Sequence, residues 1–282
     1  MEQMDAARRR VEMSNEIKRS LWWRKGWWRW RYGIREILIV AIIYGGYRFA
    51  SYSLPHKQLV AFENSYDIVN LERHLHIFVE RNFQSFILSH TVVIQLINFL
   101  YTFLYYPALF SFGFWAYFRH RRHYVMVRNV LLVSAGVAFT VFALYPVAPP
   151  RMLPELGFVD TMARFGTLSY GSSGVRNLAN PFAAMPSLHF AWTLLIGIAI
   201  VHIAKNWWLR IIGILVPLGM LTAIVGSSNH FFLDAFGGGL TIGIAYILVR
   251  LFGLFWEKAR AMAARSASPG EGRPGRSGTR VL

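Results

Sequence analysis

The apolar residues of this chain are grouped in long blocks, and this grouping constrains the fold more than any other feature of the sequence. A helix that crosses the hydrocarbon core of a bilayer needs about 20 mainly apolar residues, and each block approaches that length. The blocks lie at residues 34–52, 91–118, 125–145, 186–204, 208–226 and 231–252. We therefore predict an all-α integral membrane protein, a bundle of six transmembrane helices with interfacial helices beside it.

The basic residues predict how this bundle is oriented in the membrane. Lys and Arg are concentrated in the N-terminal tail, in the loops at 119–128 and 203–210, and in the C-terminal tail. Cytoplasmic segments carry an excess of these residues, so both termini are predicted to be cytoplasmic, with the plasma (inner) membrane as the location. Loops 53–90 and 146–185 and the turn at 226–230 then lie on the extracytoplasmic side.

Two tail segments flank the predicted membrane domain of residues 34–256. Residues 1–33 are basic, and their stretch SLWWRKGWWRWRYG alternates Trp with Arg and Lys, as is typical of a cytoplasmic interfacial segment. Residues 257–282 contain a Ser-, Gly- and Pro-rich stretch, for which we predict a disordered cytoplasmic tail. Between the first two blocks, residues 63–82 have apolar side chains at helical spacing, which predicts an amphipathic interfacial helix.

The net charge of +16 would point to nucleic acid in a soluble protein. Here the basic residues flank the apolar blocks, where anionic lipid headgroups and membrane topology explain them. We therefore predict a membrane lipid as the partner and no nucleic-acid partner. The chain contains no Cys, which excludes disulfides, thiolate catalysis and cysteine metal sites.

Polar residues that can carry chemistry occur at the predicted outward ends of three blocks. Arg151 follows the third block, His189 lies one turn into the fourth, and His230 begins the sixth. Pro186 is favoured at a first helical position, and the N–H groups of a helix N-terminus suit a phosphate. His230 and Asp234 share one helix face, where the carboxylate can accept a hydrogen bond from the imidazole. The three ends are therefore predicted to form one site.

Other interpretations of these residues remain open at the level of sequence. The His230–Asp234 pair can be purely structural, and His and carboxylate side chains are also common metal ligands. Haem held by His189 and His230 would leave Asp234 without a purpose. We favour a functional site without metal or cofactor, because ionisable residues in spans are usually functional and phosphoryl transfer also explains Arg151.

The motifs resemble those of a known membrane family. The sequence PSLH at 186–189, followed by His-x-x-x-Asp at 230–234 and a glycine cluster, is similar to the type 2 phosphatidic acid phosphatase superfamily. The segments APPR and NHFFLDAFGG bring the chain closest to the inositol phosphorylceramide synthase-like branch. The resemblance implies a six-helix membrane bundle and a phosphohistidine intermediate.

The resemblance also implies a role for each motif residue. His230 is the expected nucleophile, Asp234 the carboxylate that orients it, and His189 the general acid that protonates the leaving oxygen. Ser187 and nearby backbone N–H groups are expected to hold phosphate oxygens.

The sequence departs from the family pattern at three points. Leu188 replaces the Gly of the Pro-Ser-Gly-His motif, Ile224 occupies the position of an Arg in the third motif, and the Lys of the first motif has no counterpart. Two phosphate-binding cations are therefore missing, and Arg151 and Arg176 are the candidate replacements in substrate binding.

We therefore expect a membrane enzyme that cleaves a lipid phosphoester at the extracytoplasmic face and transfers the phosphoryl or phospho-headgroup to a lipid alcohol or water. Its substrate would be a phospholipid, a sphingolipid or a polyprenyl phosphate. A phosphatase that releases inorganic phosphate is the close alternative, and a non-catalytic lipid transporter or binding protein is the alternative of another class. The long loop 146–185 is predicted to be a lid, with Arg176 as a headgroup contact.

Overall fold

The computed structural model describes residues 58–165 and 180–267, together with a few positions between 33 and 46. The chain forms two compact units, Met1–His56 and Lys57–Leu282. In the first unit the described positions are helical. The second unit contains the candidate site residues that the structure describes.

Several of the sequence predictions fall on residues outside these ranges. The Trp-rich interfacial segment lies at residues 1–33, almost wholly outside them, and most of the first predicted span at 34–52 does as well. The middle of the predicted lid, residues 166–179, and the end of the C-terminal tail, residues 268–282, are also outside the described part.

The regular structure of the described residues is helical, and no strand occurs among them. The helices are α1 (Gln58–His74), α2 (Glu80–Leu88), α3 (Thr91–Arg119), α4 (Arg121–Leu144), α5 (Thr161–Phe165), α6 (Leu188–Ile203), α7 (Trp207–Gly226) and α8 (Phe232–Ala267). Within α3, the segment Leu100–Leu104 is a π-helix. Pro107 lies shortly after this segment and lacks the N–H that a regular helix would bond to the carbonyl of Phe103, which explains an irregular turn here.

Among the described residues, four helices are long and apolar enough to cross a membrane, namely α3, α4, α7 and α8. They correspond to the second, third, fifth and sixth predicted spans. Helix α6 corresponds to the fourth, but its 16 residues give a length of only about 24 Å. The described part of the chain thus supports an all-helical membrane protein, and the count of six spans stays a prediction.

Helix α6 forms the centre of the bundle. Ala191, Leu195 and Ile196 on this helix are buried in a cluster with residues of α3, α4 and α8. Gly197 contacts α7 so closely that a Cβ there would overlap the carbonyl oxygen of Gly213. A helix that is apolar on all sides suits this central place, because most of its surface meets other helices.

Two predicted boundaries are wrong. The amphipathic helix expected over 63–82 is broken, because α1 ends at His74 and α2 begins only at Glu80, with His76 in the left-handed region at a φ of 57°. Few side chains favour that region, so the helix cannot continue through it. The tail predicted to be disordered from residue 257 is helical as far as Ala267, where α8 ends.

The segment after α4 covers one end of the bundle together with α1. Ser65 on α1 accepts a hydrogen bond from the N–H of Ala148 at 2.9 Å. Val147 forms an isolated bridge with Ala183, which joins the two ends of loop 146–185. Phe158 is 3% exposed and packs in the same apolar cluster as Phe231. The described ends of the predicted lid are therefore fixed to the bundle, and its closing over the site stays a prediction.

Candidate active site

A tight turn between α7 and α8 positions His230. The N–H groups of Asn229 and His230 both donate to the carbonyl oxygen of Ile224, at 3.0 Å and 3.1 Å. Ser228 in this turn has a φ of 54°, which reverses the chain within a few residues. The turn leaves His230 only 6% exposed, at the point where α8 starts.

The His230 ring is held through its Nδ1 atom. This atom lies 2.9 Å from the carbonyl oxygen of Ala184 and 3.4 Å from Oδ2 of Asp234. Both neighbours are acceptors, so we assign the proton of the neutral ring to Nδ1, which leaves the lone pair on Nε2. This geometry fits the orienting role predicted for Asp234. It also adds the Ala184 carbonyl, which the sequence did not indicate.

Asp234 is fully buried and also binds its own helix. Its Oδ2 atom accepts from the N–H of Phe231 at 2.9 Å, whereas Oδ1 is buried without a donor among the described residues. An acidic side chain at a helix start is favoured by the unpaired N–H groups and the helix dipole. Asp234 therefore stabilises the first turn of α8 and the orientation of His230 together.

His189 reaches the same place from the start of α6. Ser187 is the N-cap of this helix, and its hydroxyl oxygen accepts from the N–H of Phe190 at 3.4 Å. The ring centroids of His189 and His230 are 6.1 Å apart. The expectation that Pro186 begins the helix is wrong, because the Ser187 cap follows it and α6 begins at Leu188. The two predicted histidines are nevertheless brought together.

A glycine lets the two histidine-bearing helix ends approach each other. A Cβ at Gly238 of α8 would lie 2.6 Å from the carbonyl oxygen of Ser187. Real Cβ atoms do not come so close to a backbone atom, so a side chain at this position would push α8 away from α6. Small residues let membrane helices approach closely, and Gly238 has this role between α6 and α8.

Two tyrosines of α3 complete the surroundings of His189. The rings of Tyr101 and Tyr105 have their centroids 4.9 Å and 4.7 Å from that of His189. Tyr105 also stacks on Trp192 at 6.0 Å. Both tyrosines lie at the π-helical part of α3, a kind of irregularity that is frequent at functional sites. Neither tyrosine was predicted from the sequence, where their spacing of four residues in an apolar block was the only signal.

Arg151 lies beside the turn that carries His230. Its backbone N–H donates to the carbonyl of Ser228 at 2.9 Å, and its guanidinium donates to the Oδ1 atom of Asn229. Its Nε atom is 3.8 Å from Oδ2 of Asp160, and its side chain is 19% exposed. Asn229 and Asp160 are further residues that the sequence analysis missed. Arg176 lies outside the described residues, so its predicted role is untested.

The sequence also matches a known family directly. The sequence model of the PAP2 superfamily matches residues 66–248, which include both histidines, Asp234 and Arg151. This chain belongs to the PAP2 superfamily. The match confirms the resemblance that the PSLH and His-x-x-x-Asp motifs indicated. Together with the apolar helices, PAP2 membership identifies the chain as an integral membrane protein.

One curated relative agrees with the branch of the PAP2 superfamily that the motifs favoured. The chain is 26% identical over 170 residues to the phosphoinositol dihydroceramide synthase of Bacteroides thetaiotaomicron, and the alignment covers 55% of each protein. The chain thus matches about half the length of this relative. No solved structure matches the chain.

Proposed function

We propose that this protein is a membrane enzyme that cleaves a lipid phosphoester through a phosphohistidine on His230. It would transfer the phosphoryl or phospho-headgroup to a lipid alcohol. The observation that carries the proposal is the pair of imidazoles, His189 and His230, with ring centroids 6.1 Å apart. At that separation both rings can contact one phosphoryl group.

In the first step, the lone pair on Nε2 of His230 attacks the phosphorus atom and forms a P–N bond. The bond from phosphorus to the leaving lipid oxygen breaks, and protonated His189 gives its proton to that oxygen. The Nδ1 proton of His230 stays directed at Ala184 and Asp234, whose carboxylate offsets the positive charge that develops on the ring.

In the second step, an acceptor hydroxyl attacks the phosphohistidine. His189, now neutral, takes the proton of this hydroxyl, and the P–N bond breaks with its electrons returning to Nε2 of His230. Both residues are then restored to their starting protonation states. The sequence of steps needs no metal ion, so we propose metal-independent turnover.

Charge on the phosphoryl oxygens would be met by Arg151 and by the N-terminus of α6. Asn229 and Asp160 fix Arg151 next to the His230 turn. Its guanidinium is therefore already in position before a substrate binds. The first N–H groups of α6, beside the Ser187 cap, provide partial positive charge. Preorganised donors of this kind stabilise the charge that builds in the transition state.

We place the site at the extracytoplasmic face. The end of α4 and the starts of α6 and α8 lie at the site end of the bundle, whereas Arg119, Arg121 and Arg122 lie where α3 meets α4 at the other end. Lys205 and Arg210, between α6 and α7, are at that basic end as well. A basic end is typically cytoplasmic, which supports cytoplasmic termini.

The surroundings of His189 favour an alcohol over water as acceptor. Tyr101 and Tyr105 border the ring that must deprotonate the acceptor, and aromatic walls suit a lipid-borne hydroxyl. The similarity to a phosphoinositol dihydroceramide synthase supports the same choice. A dihydroceramide is therefore the first acceptor to test, and a polyprenyl or glycerol lipid is the next.

In the test, lipids with a labelled phosphorus atom are supplied to the purified protein in detergent, and the labelled products are identified. Transfer predicts a new lipid phosphodiester only when a lipid alcohol is added, whereas a phosphatase would release inorganic phosphate without it. An acid-labile, radiolabelled adduct should map to His230 and disappear in H230A. His202, at the far end of α6 from His189, offers the matched control, because H202A should still form the adduct.

A lipid transporter or binding protein with the same bundle would behave differently. It would bind lipid without forming a covalent adduct, and H230A would leave its activity intact. Loss of turnover in H230A by a factor on the order of 10³ or more is the result that supports an enzyme.

A further inference from the structure

Three carboxylates hold the first turn of α8. The N–H of Phe232 donates to Oε1 of Glu80, and the N–H of Leu233 donates to Oε1 of Glu72, each at 2.9 Å. Phe231, one residue earlier, donates to Asp234. Three successive N–H groups next to His230 therefore donate to acidic side chains. Two of these acids come from other helices, Glu72 from α1 and Glu80 from α2.

The second carboxyl oxygen of each glutamate, Oε2, lacks a hydrogen-bond donor among the described residues. Glu72 and Glu80 are both 0% exposed, and both Oε2 atoms are buried. Two ionised carboxylates side by side in the protein interior are strongly disfavoured. One carboxyl proton between them removes a charge and supplies the missing donor.

The electrostatic surroundings agree with this arrangement. Burial raises the pKa of the Glu72 carboxyl to about 9, helped by the hydrogen bond and charge of Glu80 and by the charge of Asp234. The N–H of Leu233 acts in the opposite direction. The Glu72–Glu80 pair therefore holds a proton at neutral pH, and Asp234 is the further acidic side chain that faces it.

The break between α1 and α2 creates the pair. In one continuous helix, Glu72 and Glu80 would stand about 12 Å apart along the axis. Instead, the N–H of Ile77 donates a hydrogen bond to the carbonyl oxygen of Glu72 at 2.9 Å, and His76 adopts a positive φ. This turn brings Glu80, the first residue of α2, back to Glu72 and to the start of α8.

We infer that Glu72 and Glu80 form a proton-sharing carboxyl pair that positions His230 and Asp234 by fixing the first turn of α8. The inference rests on the proposed function only where it calls His230 catalytic. Both glutamates are positioning residues, because they touch the backbone of α8 and not the reacting groups. With one proton shared, two negative charges face the helix start, and loss of that proton adds a third beside Asp234.

The experiment compares E72Q, E72A and the control E63Q, which changes an exposed acid on the same helix. In E72Q, the amide oxygen can accept from Leu233 and the amide N–H can donate to Glu80, so this variant imitates the protonated state. We expect E72A to lose kcat about tenfold or more, and E72Q to restore most of that loss. The E63Q protein should match the wild type.

The pH profile and an infrared spectrum separate this role from a merely structural one. The wild type should lose activity as the pH rises through about 9, and E72Q should keep it there. Infrared spectra of the wild type should contain a buried protonated-carboxyl band that shifts in D₂O and is absent from E72Q. The inference is overturned if E72Q fails as E72A does, if the two pH profiles coincide, or if the band persists in E72Q.

The infrared spectrum also tests the carboxyl pair independently of the proposed reaction. A protein without phosphoryl transfer that still has the band would contradict the proposed function alone. A protein with full transfer and no such band would contradict the carboxyl pair alone.

Discussion

The backbone N–H of Ser187 donates to the carbonyl oxygen of Asp234 at 2.9 Å. Ser187 caps the helix that carries His189, and Asp234 lies one turn after His230, so this bond joins the two halves of the site. A backbone contact of this kind fixes the separation of the two helix starts that carry the histidines, whichever rotamers the side chains adopt. It requires that α6 and α8 approach closely, and Gly238 permits that approach.

The first prediction concerns this close approach. G238A places a methyl group 2.6 Å from the Ser187 carbonyl, so α8 must shift and the histidine separation must grow. We expect kcat to fall roughly tenfold or more, because the reacting groups are displaced. The free energy of unfolding should also fall by about 1–3 kcal/mol, the usual cost of overpacking. Activity and thermal unfolding in detergent are the measurements. G243A is the control, because a Cβ at Gly243 meets nothing within 4 Å, and its activity should be unchanged.

The second prediction separates the two partners of the His230 ring. D234N removes the charge that stabilises the imidazolium but leaves the Ala184 carbonyl on Nδ1. We expect kcat to fall about 10²- to 10⁴-fold, by analogy with carboxylate loss in other His-based sites, while KM changes little. H230A should lose more, because it removes the nucleophile. Equal activity of D234N and wild type would show that Ala184 alone orients the ring.

The third prediction is a pH dependence of stability. The carboxyl of Glu72 has a pKa of about 9 in the folded protein against an ordinary value of 4.5. The folded state therefore binds a proton that the unfolded state has lost, and stability falls as the pH rises. The contribution is fully present below pH 4.5 and is lost on passing about 9, with a slope of up to about 1.4 kcal/mol per pH unit in between. Denaturant unfolding at several pH values should show this slope in wild type and a smaller one in E72Q.

The fourth prediction tests the cation beside the turn. R151A removes the guanidinium that Asn229 and Asp160 hold in place, so charge on the phosphoryl oxygens loses a fixed partner. We expect kcat/KM to fall about 10²-fold or more, as for loss of a preorganised donor. R164A, which removes an exposed Arg of the same loop, should leave kcat/KM near wild type. Similar losses in both variants would mean that only the general basic charge matters.

The fifth prediction concerns the choice of acceptor. Y105L keeps an apolar side chain but removes the ring that borders His189 and stacks on Trp192. Water then gains access to His189, the proposed general base, so the share of inorganic phosphate among the products should rise. The ratio of free phosphate to lipid phosphodiester measures this, with Y106L as control because Tyr106 is 58% exposed. An unchanged ratio would place acceptor selection elsewhere.

The sequence indicated the membrane class and most of the site because both leave local signals. Apolar blocks of bilayer length mark spans, and the spacing of His230 and Asp234 marks one helix face. The prediction that His189 and His230 meet follows from both lying at outward helix ends. The same local signals misplaced the helix over 63–82, because its apolar spacing continues through the turn at His76.

What the sequence determined by itself is therefore the order of the apolar helices and the identity of the polar residues proposed to form the active site. The tertiary structure decided what surrounds those residues: the Ala184 carbonyl on His230, the tyrosines beside His189, and Asn229 with Asp160 on Arg151. It also decided that Glu72 and Glu80 converge on the start of α8. These partners come from distant segments, and a hydrogen bond between them depends on helix approach and turn conformation, which no local pattern of residue types encodes.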